Sequence, residues 1–237
     1  MRYSNPIRAI FEREYARTEG KNFNGPTRIV AEISQMHGAV EALENVAIHR
    51  NPADNDAVHQ KKTHEAGVRL AKAIAATKSR ANDILNNNNT RLNQELAART
   101  GLGAQTSLDA IMRHQELRAV VRGMDERVRR DVLTEAVKAK DADTLNALLN
   151  GGPLLSGIEP KFLATMRESY ERAVAPEILE EQAELLNTDE ALQAVIRSCE
   201  TVSKDAQNPE ALEAFIRAQQ AAESASASFD AALSSDA

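Results

Sequence analysis

Three of the five histidines, His49, His59 and His64, fall in one short stretch of the chain. Such clustering is what a zinc or iron site needs, but the spacing is wrong for one. His59 and His64 are five positions apart, so on a helix they project about 140° apart and cannot chelate one ion as an i,i+4 pair can. Asp56 and His59 have suitable i,i+3 spacing, with nothing else in the sequence to complete the set. Glu-x-x-His, which a di-iron bundle needs twice, does not occur. No metal ligands are assigned.

The other chemical candidates fall short in the same way. "GLGAQT" holds Gly101 and Gly103 but lacks a preceding strand and the third glycine of a dinucleotide fingerprint, so it reads as a helix stop. In "GGPLLSG", Ser156 has no glycine two positions before it, which excludes a nucleophile elbow and leaves a turn between helices. The single cysteine, Cys199, shares a helical face with Leu192, Val195, Ile196 and Val202 and has no histidine near it in sequence, which makes it a core filler. Glu177, Glu180, Glu181 and Glu184 offer paired carboxylates, yet their Gln- and Ala-rich setting reads as a solvated helix face. No catalytic residue and no cofactor is expected.

Binding is better represented than catalysis. "TLNALLNGGPLLSGIEPKFLATMRE" has a helix–turn–helix outline. Its second helix balances Lys161, Arg167 and Arg172 against Glu159, Glu168 and Glu171, so its attraction to phosphates is weak. The first 23 residues hold Tyr3, Phe11, Tyr15 and Phe23, half of the aromatic residues in the chain, interleaved with Arg2, Arg8, Arg13 and Arg17. Aromatic and arginine side chains are enriched at protein interfaces. Tyr3, Ile7, Ile10, Phe11 and Tyr15 are therefore the candidate partner-binding residues, on a helix that either docks on another chain or folds back on its own bundle.

The elements that carry these residues are helices. Of 237 residues, 42% are hydrophobic but only 3% aromatic, with no Trp, 10 Gly and 7 Pro. Strand-length runs of β-branched residues are absent, so the fold class is all-α, with narrow helix–helix seams. Periodicity and turn residues divide the chain into an N-terminal docking helix and linker (1–25), a long antiparallel helical hairpin (26–100), a helical bundle (101–222) and an Ala/Ser-rich tail (223–237) read as disordered. The hairpin is elongated and coiled-coil-like. Its second arm must cross "ILNNNNTRLNQEL", where four asparagines cost roughly 2–3 kcal/mol relative to Ala. Ala81, Leu85, Asn88, Leu92 and Leu96 still form one line, so a single helix from about 53 to 99 is predicted, with Asn88 in its seam. Farther on, Thr188 is expected to cap a helix beginning at Asp189.

No apolar run is long enough to span a membrane and no secretory leader is visible, so a cytoplasmic protein is expected. Residues 1–100 carry 15 basic and 11 acidic side chains, whereas residues 151–237 carry 6 and 16. That polarity suits head-to-tail association or an acidic partner. "HRNPADNDAVHQKK" and "LNALLNGGPLLSG" resemble pieces of functionally uncharacterised helical proteins of tailed bacteriophages. The resemblance covers about a tenth of the chain and carries no catalytic residues. It implies a virion or assembly component, in the particle or the host cytoplasm. The expectation is thus a non-enzymatic structural protein that self-associates or joins a larger assembly. The alternative is a cytoplasmic regulator that binds DNA or a host protein.

Overall fold

A computed structural model describes residues 3–103 and 107–234. Among them are ten helices and no strand: α1 (Ser4–Thr18), α2 (Asn24–Ile48), α3 (Asp56–Thr100), α4 (Leu108–Arg122), α5 (Glu126–Ala139), α6 (Ala142–Asn150), α7 (Gly152–Ser156), α8 (Pro160–Val174), α9 (Pro176–Ala206) and α10 (Pro209–Ser234). The all-α class follows from the Ala-, Leu- and Glu-rich composition, whose straight-chain residues lose little rotamer freedom in a helix.

The chain forms two compact units, and neither matches the divisions expected from the sequence. Residues 1–85 join 185–237 in one unit; residues 86–184 form the other. The sequence placed the boundary in the "TGLGAQTS" loop, of which residues 104–106 lie outside the described part. The structure places it inside α3 and again inside α9, so each long helix serves both units. No turn residue marks such a boundary, because the backbone stays helical through it.

Three helices owe their form to a 3-4 repeat of buried positions. In α2 these are Ile29, Ile33, Met36, Val40 and Leu43. In α9 they are Ile178, Glu181, Leu185, Thr188, Leu192, Val195, Cys199 and Val202. α3 buries Leu70, Ile74, Thr77, Ala81, Ile84, Asn88 and Leu92, and crosses the asparagine tract without a break. Beyond Asn88 the spacing lengthens to steps of four, ending at Thr100. Packing along that face outweighs the low propensity of asparagine, and the Asn88 amide oxygen accepts from Arg91 at 3.3 Å.

In the first unit, α2 and α3 run in opposite directions. His59 meets the Ala47 carbonyl at 3.1 Å near the turn, and farther along Arg80 donates to Glu32 at 2.7 and 2.9 Å. The α9 helix lies alongside α3. Ser203 donates to the Gly67 carbonyl at 2.9 Å, and Lys78 pairs with Glu200 at 2.6 Å. A β-carbon on Gly67 would lie 3.0 Å from that of Ala206, so glycine permits this approach.

The second unit wraps α4–α8 around Val121, Leu133, Leu145, Leu148, Leu163 and Tyr170. The Tyr170 hydroxyl donates to the Thr100 carbonyl at 2.8 Å, satisfying a buried acceptor at the end of α3. Asp141 caps α6 by accepting from the Thr144 backbone N–H.

Three local expectations need correction. "GGPLLSG" is not a bare turn: Pro153 helps start a one-turn helix, α7, which ends at left-handed Gly157, so the helix–turn–helix outline is interrupted. Thr188 is no cap, because α9 is continuous across it. No Gly or Pro interrupts residues 177–206, and the buried Thr188 hydroxyl satisfies itself on the Leu185 carbonyl at 3.1 Å. The Ala/Ser-rich tail is helical through Ser234, with residues 235–237 outside the described part. Alanine is the strongest helix former, and Gln219–Glu223 and Ser228–Ser224 bonds span single turns.

Candidate interaction surfaces

The five residues singled out on the N-terminal helix do not share one fate. α1 lies on α2 and buries Ile7 completely, so Ile7 is core. Tyr3, at the start of the helix, is exposed and donates its hydroxyl to Asp205 of α9 at 2.9 Å. That bond, with the charge of Asp205, raises the phenol above its ordinary pKa. Ser4 beside it binds Glu44 through its N–H at 3.1 Å and its hydroxyl at 2.5 Å. These contacts hold the helix at its N-terminal end. Gly25 and Pro26 are buried inside the first turn of α2, so the linker expected within residues 1–25 shrinks to the few residues between Thr18 and Asn24.

Toward the other end of α1 the surface opens. Ile10 and Phe11 are half-buried, and Tyr15 is 49% exposed. The Phe11 and Tyr15 rings lie 5.8 Å apart, tilted by 42°. They form one wall of a groove of about 510 Å3 whose other wall is α2, through Thr27, Val30, Ala31 and Ser34. Lys21 closes one end, its ammonium 5.4 Å from the Phe23 ring. Behind this wall sits Glu14, with no exposed surface, accepting from Arg13 at 2.7 Å and Arg17 at 2.9 Å. The arginines that make the helix basic thus also neutralise a buried carboxylate.

A second cleft, about 360 Å3, lies between Tyr3, Leu43, Ala47, Thr63, Val202 and Asp205. It is apolar but for the Tyr3–Asp205 pair, Glu44 and Thr63. The three clustered histidines each meet a backbone carbonyl: His49 that of Asn45, His59 that of Ala47 and His64 that of Gln207, the last at 2.7 Å. The cysteine is buried, and burial pushes its thiol up to about 12. The acidic run of α9 is a solvated face only in part: Glu177 and Glu180 are exposed, Glu184 is half-buried and Glu181 is buried. Glu181 is buried against Arg91 at 2.5 Å and Glu177 pairs with Arg99 at 2.5 Å.

The surface that sequence reasoning missed is α10. Every described side chain from Arg217 to Ala231 is exposed. Phe215, Ala218, Ala222, Ala225 and Phe229 follow one another in steps of 3, 4, 3 and 4, the seam spacing of packed helices. Phe215 is held at the base, with Lys61 5.3 Å from its ring, while Phe229 is 64% exposed. The signal was present in the sequence as that spacing, obscured by the alanines and serines around it.

Protein-family profiles, curated proteins and solved structures yield no match to this chain. No described helix is long and apolar enough to cross a membrane.

Proposed function

We propose that this chain is a non-enzymatic helical assembly protein, of the kind the tailed-phage resemblance implies, acting in a virion or during its assembly. The observation that carries this reading is the exposed seam of α10. An isolated helix gains little in water from propensity alone, and one that repeats apolar residues at seam spacing gains stability when a second surface covers them. The 3-4 repeats of α2 and α3 support a coiled-coil-like hairpin as the scaffold of the unit that carries that helix. The charge polarity of the chain supports association between unlike surfaces.

Light scattering on the full chain tests the reading. Association should give a mass above the 25.9 kDa of one chain. Ala225→Glu with Phe229→Glu, both on the exposed stripe, should lower that mass without loss of helicity. A chain that stays monomeric at every concentration overturns the proposal.

A further inference from the structure

Resting on that reading, we infer that α10 of one copy lies in the α1–α2 groove of a second copy, with Phe229 against Phe11 and Tyr15. Three observations converge on this occupant. The groove is concave and mostly apolar and lies between two helices, as the helix-in-groove mode of recognition requires. No described side chain of α10 lines the groove of its own chain, and the stripe that would fill it is exposed from Ala218 to Phe229.

The charges decide between this arrangement and its main rival, pairing of two α10 helices. From Pro209 to Ser234, α10 carries four acidic residues, Glu210, Glu213, Glu223 and Asp230, against one Arg217. Two such helices side by side repel. From Tyr3 to Arg28, the groove region carries five basic residues against three acidic ones, a net charge of +2, with Arg13 and Arg17 paired to the buried Glu14 and Arg8 paired to Glu12. A helix with four acidic residues and one basic residue, net −3, against a region of net +2 is the complementary choice. Each copy holds both a helix and a groove, so the exchange is reciprocal and closes as a two-fold dimer.

Two full-length variants with exposed substitutions separate the possibilities. The helix variant is Ala225→Glu with Phe229→Glu; the groove variant is Tyr15→Glu with Ala31→Glu. Unchanged helicity and melting of each confirm that it folds; should the groove pair not fold, Tyr15→Glu alone replaces it. Wild type should have about twice the 25.9 kDa chain mass, each variant alone should be monomeric, and an equimolar mixture should restore a dimer containing one copy of each. If the helix variant is monomeric but the groove variant dimerises like wild type, the groove assignment is wrong while α10-driven assembly stands. If the helix variant also dimerises like wild type, or wild type is monomeric, the reading beneath it fails as well.

Discussion

Glu14 offers the sharpest test of how the N-terminal helix is held. Its carboxylate has no exposed surface, while the side chains of its partners Arg13 and Arg17 are 62% and 34% exposed. Removing one side of the pair should therefore not equal removing the other. Arg13→Ala with Arg17→Ala takes away both guanidinium donors and leaves a carboxylate in the interior. Stranding a buried charge in this way costs about 3–5 kcal/mol. Glu14→Met instead removes the buried charge and fills its space, leaving two arginines that can turn to water. That change should cost no more than about 1 kcal/mol and can stabilise, as replacing buried ionic groups by apolar ones of similar volume often does. Urea unfolding followed by far-UV circular dichroism measures both. At roughly 2–4 °C per kcal/mol for a chain of this size, the double arginine variant should also melt roughly 6–20 °C lower. Equal losses in the two variants, or a larger loss in Glu14→Met, would refute the argument, because the carboxylate would then not depend on its arginines.

Cys199 should resist thiol reagents at neutral pH. With its thiol pushed up to about 12, only about one in 10^5 is ionised at pH 7; labelling as fast as that of a denatured control would show the site to be open. Asp141 should support α6 in a pH-dependent way. Its capping bonds to Thr144 hold its carboxyl below the ordinary value of 3.8, so the stabilisation is present above that value and is lost as pH falls through the depressed one. Asp141→Ala should thus cost about 1 kcal/mol at neutral pH, and its urea midpoint should approach that of wild type in acid; a gap that widens on acidification reverses the sign and sinks the reasoning. The asparagine tract should split by position. Asn86, Asn87 and Asn89 are exposed, so their joint replacement by Ala should stabilise the chain by about 1.5–2 kcal/mol. Asn88→Ala should destabilise it, because Asn88 is buried and bonded to Arg91; thermal melts of the two variants moving in the same direction would show the four residues to be equivalent.

What could be read from the sequence was local. The α2 and α3 seams were visible because apolar spacing records which face of a helix is buried, and the asparagine tract could be crossed because Asn88 falls on that face. The positions of Ile7 and Cys199 on apolar stripes showed that each could be core, without showing what would cover them. The pairs Arg91–Glu181 and Tyr3–Asp205 join residues 90 and 202 positions apart, and no local spacing records such a meeting. The division into two units was hidden for a related reason. A helix that changes partners midway needs neither glycine nor proline, so α3 and α9 carry no punctuation where the units meet the chain.

The C-terminal segment shows how composition can mislead about function as well as form. An Ala/Ser-rich stretch buries too little apolar surface to order itself, which is why it reads as disordered. The same small side chains favour close approach once a partner is present, and alanine strongly favours the helix. The two tendencies separate only when the spacing of Phe215, Ala218, Ala222, Ala225 and Phe229 is weighed with the charges around it. Low burial within one chain and seam spacing along the same helix are the two features that the proposed pairing of copies accounts for together. In that proposal a second copy supplies the surface that covers Phe229, and the alanines between the two phenylalanines let it come close.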